Sequence, residues 1–210
     1  MATGQIDLAK LFGTVAGTLA QNQTALNKAD VRNGDHGDNM VDIFKVITQA
    51  MEQRQSADPA DQLEYAAQLL RARKSGSAQL YAKGLAQASQ QFQGKSVTQE
   101  NALQLVQTLL GGGQAPAQPA GGDLASTLLS SLMGGGSQPA AGDDKLDASD
   151  LLSAGLAFMS SKQGGASNVE ALTKALVSGS GIGSSQPYRA QSGELVANTL
   201  LQVIGSLTQK

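Results

Sequence analysis

Asn33-Gly34-Asp35-His36-Gly37-Asp38-Asn39-Met40 is the stretch from which the fold of this chain can best be read. It holds the single histidine of the chain, together with two carboxylates and two glycines. Apolar residues then recur every three or four positions, which is the spacing of one helix face: Met40, Ile43, Phe44, Ile47 and Met51. The stretch therefore predicts a polar turn followed by a helix from about Asp38 to Arg54.

The polar turn has two interpretations, which spacing alone leaves open. The free N–H groups and the dipole of a helix N-terminus favour a bound phosphate. The two carboxylates would repel that phosphate unless a divalent cation such as Mg²⁺ lay between them. Alternatively, Asp38 or Asn39 is only the N-cap of the helix, and the glycines belong to an ordinary turn.

Composition limits the class of protein. The 210 residues suit one domain or two small ones, and 40% hydrophobic residues with only 3% aromatics predict a core of aliphatic side chains between helices. A net charge of −2 gives no reason to expect a nucleic-acid partner, and the absence of cysteine excludes disulfides and thiolate chemistry. No apolar run reaches the roughly 18 residues of a membrane span, and no leader is recognisable. We expect a cytoplasmic protein with no membrane partner.

Local signals predict further helices in the first half of the chain. A first helix is expected over residues 5–20, followed by a polar connection that contains Asn22, Thr24, Asn27 and Lys28. Asp58-Pro59 predicts an N-cap and a first helical residue, and Ser96-Val97-Thr98-Gln99 predicts a capped start for a later helix. The apolar face of that later helix is expected to comprise Leu103, Val106, Leu109 and Leu110.

Arg71-Ala72-Arg73-Lys74-Ser75-Gly76-Ser77-Ala78 is a second notable stretch. Its basic residues, hydroxyls and backbone N–H groups could together hold an anion. Equally, the cations could complement the C-terminal dipole of one helix while Ser75 or Ser77 caps the next. The sequence does not decide between these interpretations.

Beyond residue 110 the composition changes. Leu109–Pro116 reappears in altered form as Leu132–Pro139, which indicates a local duplication of a short helix and a glycine-rich linker. We expect flexible loops near 111–122 and 134–146 around a short helix. Later capping signals predict helices after residues 147 and 167, and a last helix over about 193–208. No segment alternates with the period of a strand, so we predict an all-α fold with residues 1–210 in a single domain.

These residues together resemble the DhaL family, the nucleotide-binding subunit of dihydroxyacetone kinases. That family carries Gly-Asp-Gly-Asp-His-Gly-x-Asn-Met between its first two helices, and Arg32–Met40 matches it here. The family's second phosphate loop, Gly-Gly-Ala-Ser-Gly-Pro-Leu-Tyr-Gly, matches Lys74–Ala82. The resemblance implies an antiparallel barrel of about eight helices that binds ADP or ATP with Mg²⁺. It also implies a partner subunit that holds the substrate, dihydroxyacetone or, in relatives, a fatty acid on a carrier protein.

Carried over to this sequence, the resemblance implies a nucleotide-lining set of His36, Gly37, Asn39, Ser75, Gly76 and Ser77. The family holds its metal with three aspartates, of which only Asp35 is retained. Asn33 stands at a second position, and the first falls near Lys28, with Asp30 close by. The candidate metal ligands are therefore Asp30, Asn33 and Asp35, and no catalytic residue is assigned.

Three functions follow as hypotheses. The first is a DhaL-like binding or regulatory module for a phosphate-bearing small molecule, in which a degenerate metal site is replaced by cations: Lys28, Arg32, Arg71, Arg73 and Lys74. The second is an active phosphotransferase that uses Asp30, Asp35 and Asp38 as a rearranged carboxylate set. The third is a helical scaffold without a ligand.

Overall fold

The computed structural model describes residues 5–111 and 186–207, together with Thr173, Lys174 and Val177. Apart from Gly111, the predicted loops near 111–122 and 134–146 lie outside these residues, as do the short helix between them and the helix expected after residue 147. Of the helix expected after residue 167, Thr173 and Lys174 are described and are helical, as is Val177 beyond it. The described chain forms six helices and no strand: α1 (Leu8–Ala29), α2 (His36–Gln53), α3 (Pro59–Arg71), α4 (Gly76–Gln91), α5 (Gln99–Leu110) and α6 (Pro187–Leu207). The prediction of an all-α fold is confirmed for this part of the chain.

Each helix packs on its neighbour along the chain, and α6 packs against both α1 and α5. The connections between α1 and α4 are short, and short connections make consecutive helices antiparallel neighbours. The α1–α2 and α3–α4 connections therefore lie at the same end of the bundle. At the other end, the N–H of Ile6 donates to the carbonyl of Val97 at 2.8 Å, which ties the start of the chain to the α4–α5 connection.

The core is aliphatic, as the composition predicts, with a small aromatic centre. Phe44 lies between Phe12, at 6.3 Å between ring centroids, and Tyr81, at 5.1 Å in an edge-to-face arrangement. The Tyr81 hydroxyl is buried with no hydrogen-bond partner in the described structure, and burial raises its pKa. Phe44 belongs to the predicted stripe of α2, all of which is buried: Met40, Ile43, Phe44, Ile47 and Met51.

Local capping signals were predicted correctly where the partner groups lie close in sequence. Pro59 begins α3 after Asp58, and the Ser75 hydroxyl accepts a hydrogen bond from the N–H of Ala78 at 3.1 Å to cap α4. Before α5, the N–H of Thr98 donates to Asn101 Oδ1 at 2.8 Å. Each of these caps acts within one turn, so its signal is visible in a short window of sequence.

Three predictions that depended on packing were wrong. The polar residues of the expected connection, Asn22, Thr24, Asn27 and Lys28, are helical, because Leu26 continues the buried face of α1 beyond Leu19. The last helix begins at Pro187 rather than near 193, because its first turn packs on the start of α2, where Tyr188 lies edge-on against His36. Leu103 is 38% exposed, and the buried face of α5 is formed instead by Ala102, Leu105, Val106, Leu109 and Leu110.

Helices α4 and α5 cross closely at Gly84, and this contact gives a first prediction. A Cβ at Gly84 would lie 2.5 Å from the carbonyl oxygen of Leu109, a backbone atom that cannot rotate away. We expect Gly84→Ala to lower the free energy of unfolding by about 1–3 kcal/mol, the usual cost of overpacking. Urea denaturation followed by circular dichroism measures it.

Gly17 provides the matched control, because a Cβ there would meet nothing within 4 Å in α1. We expect Gly17→Ala to raise the free energy of unfolding by about 0.5–1 kcal/mol, since alanine loses less backbone entropy in a helix than glycine. Equal effects of the two substitutions would contradict the close crossing of α4 and α5.

Candidate anion site at the helix N-termini

The first turns of α2, α4 and α6 meet at one end of the bundle. His36, the first residue of α2, lies with Nε2 2.9 Å from the hydroxyl of Ser192 in α6. Arg189, also in α6, lies so close to Gly76 at the start of α4 that a Cβ there would be 2.9 Å from its Nη2. Three positive helix ends and a guanidinium therefore share one region, which favours an anion.

His36 is a buried link between α2 and α6. The Ser192 hydroxyl donates its single proton to the carbonyl of Arg189 at 3.0 Å, so the 2.9 Å contact with His36 requires Nε2–H of the imidazole as donor. The ring also packs edge-on against Tyr188, with 4.8 Å between centroids. Burial lowers the pKa of His36, assisted by Arg189 and opposed by Asp30 and Asp35, which favours the neutral ring.

Gly37, predicted to line a nucleotide, lies instead against α1. Its N–H donates to Asn27 Oδ1 at 2.6 Å, and the N–H of Asp38 donates to the same oxygen at 3.2 Å. A Cβ on Gly37 would collide with the backbone carbonyl of Gln23. Two N–H groups of the first turn of α2 are thus satisfied inside the protein, and they are not available to a phosphate.

Asp38 completes this contact between α1 and α2. Its Oδ1 accepts hydrogen bonds from the side-chain amides of Gln23 and of Asn27, the latter at 3.0 Å. The Gln23 hydrogen bond, followed by that of Asn27, lowers the pKa of Asp38. Asp38 is therefore neither the N-cap of α2, which is Asp35, nor grouped with a metal set. The four-residue spacing of Gln23 and Asn27 is the sequence signal for this contact, because it places both side chains on one face of α1.

The candidate metal ligands are held by other partners. Oδ1 of Asp30, which is buried, accepts from the N–H of Arg32 at 3.0 Å. Oδ1 of Asp35 accepts from the side-chain amide of Asn39 at 2.7 Å, and Asn33 is exposed. Asn39, predicted to line the nucleotide, is thus engaged with Asp35.

Among residues 5–111 and 186–207, no three histidine, aspartate or glutamate side chains are grouped so that they could hold a metal ion. Mg²⁺ requires near-octahedral oxygen ligands, usually including one or two carboxylates. Because Asp30, Asp35 and Asp38 form no such group, the side chains of the described residues do not fit the magnesium site that the resemblance implies.

At the second predicted loop, the first turn of α4 has hydrogen-bond donors with no acceptor among the described residues. Ser75 caps α4 with its hydroxyl, as one of the two interpretations predicted. The N–H groups of Gly76 and Ser77 have no acceptor within the part of the chain that the structure describes. Ser77 is 7% exposed, and its hydroxyl likewise makes no hydrogen bond to any described residue. Three donors therefore lie together at the start of α4, beside the guanidinium of Arg189.

The cations proposed to replace a metal charge fall into two groups. Arg71 pairs with Glu64 at 3.0 Å, and Arg73 pairs with Asp42 at 2.9 Å, both on the exposed surface. Three other cations are exposed and make no ion pair with any residue described: Lys28, Arg32 and Lys74. Arg189 was missed because its position at the site depends on where α6 begins.

Comparisons with protein-family models, with curated proteins and with solved structures return no match. In the described part of the chain, no helix is sufficiently long and apolar to cross a membrane.

The buried histidine predicts a pH dependence of stability. The pKa of His36 is lowered from 6.5 in the folded chain, so the unfolded chain binds a proton more readily. Well above pH 6.5 the imidazole is neutral in both the folded and the unfolded chain, and His36 does not oppose folding. As the pH decreases below 6.5, the unfolded chain takes up a proton first, so the free energy of unfolding should fall. Urea denaturation between neutral pH and about pH 5 measures the slope. We expect His36→Gln to flatten it; an unchanged slope would contradict the assignment to His36.

The contact made by Asn27 gives a further prediction. Asn27→Ala leaves the N–H groups of Gly37 and Asp38 without their acceptor, and we expect a loss of about 1–3 kcal/mol in the free energy of unfolding. Asn22→Ala is the matched control on the same helix, because Asn22 only donates to the carbonyl of Thr18. Thermal denaturation of both variants separates the two cases, and equal stabilities would refute the role of Asn27.

Proposed function

We propose that this protein is a DhaL-like binding module that holds a phosphate-bearing small molecule at the start of α4. The observation that carries the proposal is the group of open donors there: the N–H groups of Gly76 and Ser77 and the hydroxyl of Ser77. Arg189 lies beside them and supplies a positive charge. This combination of backbone amides, a hydroxyl and a guanidinium is the set of groups that phosphate oxygens prefer.

The proposed fold is the antiparallel barrel of about eight helices implied by the resemblance. Six described helices, with α6 packed on α1 and α5, are compatible with such a barrel. The two segments that resemble the family's phosphate loops, 33–40 and 74–82, lie at the same end of the bundle. In this proposal the protein is cytoplasmic and a single domain, and the ligand is a nucleotide or another phosphate ester.

Metal-independent binding distinguishes this proposal from an active kinase. Phosphoryl transfer depends on positioning and on metal ions that neutralise the developing charge. Here the carboxylates Asp30, Asp35 and Asp38 are engaged with Arg32, Asn39 and the α1 amides, respectively. Arg189 can instead neutralise phosphate charge directly, and a charge-assisted hydrogen bond contributes about 1.5–3 kcal/mol. We therefore propose ligand binding without catalysis as the principal activity.

Isothermal titration with ADP and with pyrophosphate, each with and without Mg²⁺, tests the proposal. We expect binding that does not require Mg²⁺ and that weakens as salt screens the charges. Ser77→Ala and Arg189→Gln should each reduce affinity roughly tenfold, which corresponds to about 1.4 kcal/mol. Arg189→Lys tests the geometry of the guanidinium, because lysine keeps the charge without the planar fork.

Lys95→Gln is the matched control, since Lys95 is an exposed cation beyond the C-terminus of α4, at the opposite end of the bundle. It should leave the affinity unchanged. Binding that appears only with Mg²⁺ would favour the kinase hypothesis, and the absence of binding to both anions would favour the scaffold hypothesis. Either result would overturn the proposal.

A further inference from the structure

Asn33 and Gly34 form a reactive pair in the connection between α1 and α2. Of the seven asparagines in the sequence, Asn33 alone is followed by glycine. It is exposed, and Gly34 has a φ of 69°, a left-handed conformation that glycine adopts without strain. Because Gly34 has no side chain, nothing on that residue shields its backbone nitrogen from the neighbouring Asn33 amide.

The hydrogen bonds of the asparagines set Asn33 apart. Five described asparagines use their side chains in hydrogen bonds within helices, at caps or between helices: Asn22, Asn27, Asn39, Asn101 and Asn198. The side chain of Asn33 makes no hydrogen bond to any residue that the structure describes. The amide of Asn33, which is the group attacked, is therefore not held in place by a hydrogen bond to the described residues.

We propose that Asn33 is a site of spontaneous deamidation in the folded protein. The backbone nitrogen of Gly34 attacks Cγ of Asn33 and loses its proton, and the side-chain nitrogen leaves as ammonia. The resulting cyclic succinimide is then opened by water at either carbonyl. Opening at one carbonyl gives aspartate, and opening at the other gives isoaspartate; no oxidant, reductant or enzyme is required.

The reaction changes both the charge and the backbone of this connection. Each product places a carboxylate between Asp30 and Asp35, whose charges already act on His36. Isoaspartate additionally inserts a methylene into the main chain just before α2. The loop thus acquires a negative charge with time, at the end of the bundle where the anion site is proposed.

Peptide mapping by mass spectrometry tests the modification without any ligand, so its outcome is independent of the proposed function. The folded full-length chain is incubated in mildly alkaline buffer made with heavy-oxygen water, and samples are digested at intervals. We expect progressive loss of unmodified Asn33, uptake of one heavy oxygen into its peptide, and isoaspartate detected by isoaspartyl methyltransferase. Asn22, Asn27 and Asn39 in the same digests should stay intact and serve as internal controls.

Two further arms make the result decisive. Asn33→Ser removes the amide and should abolish both the mass gain and the methyltransferase signal, while circular dichroism verifies the fold. A second incubation in urea reports the reactivity of the unfolded chain. If Asn33 in the folded protein remains as intact as Asn39, or reacts only in urea, the proposal is overturned.

Discussion

The side chain of Asn27 makes the contact on which this end of the structure depends. Its carbonyl oxygen accepts from the N–H groups of Gly37 and Asp38, and its amide nitrogen donates to the Asp38 carboxylate. One residue of α1 thereby performs the capping that a residue at the start of α2 would ordinarily supply. The contact requires close approach of the two helices, and Gly37 permits it because a Cβ would collide with Gln23.

Because of this contact, the two glycine-containing segments at the starts of α2 and α4 differ in how many hydrogen-bond donors they offer to a ligand. Because Asn27 satisfies the first turn of α2, the 33–40 segment positions His36 and the surrounding helices and offers fewer donors to a ligand. The N–H groups of Gly76 and Ser77 at the start of α4 have no such internal acceptor among the residues described. The segment at the start of α2 therefore serves as a structural support, and the first turn of α4 contains the donors that have no acceptor among the described residues.

How much could be predicted from the sequence depended on the distance over which each signal acts. Helix starts were predicted at Pro59, at Ser75 or Ser77, and within Ser96-Val97-Thr98-Gln99, because their effects are local to one turn. The lengths of α1 and α6, the exposure of Leu103 and the position of Arg189 were not, because each is decided by packing between distant segments. The side chains at the site were recognised, but their partners were not: Asn27 for Gly37, Asn39 for Asp35, and Ser192 for His36.

The charge balance at this end explains how an anion could bind without a metal. Three helix N-termini and the guanidinium of Arg189 raise the local positive potential, and the carboxylates of Asp30 and Asp35 oppose it. The carboxylates are held by hydrogen bonds on the α1–α2 side, whereas the open donors lie on the α4 side. A phosphate at α4 would meet donors and a cation there. Burial favours a neutral His36, so the histidine links α2 to α6 without adding a further charge to this balance.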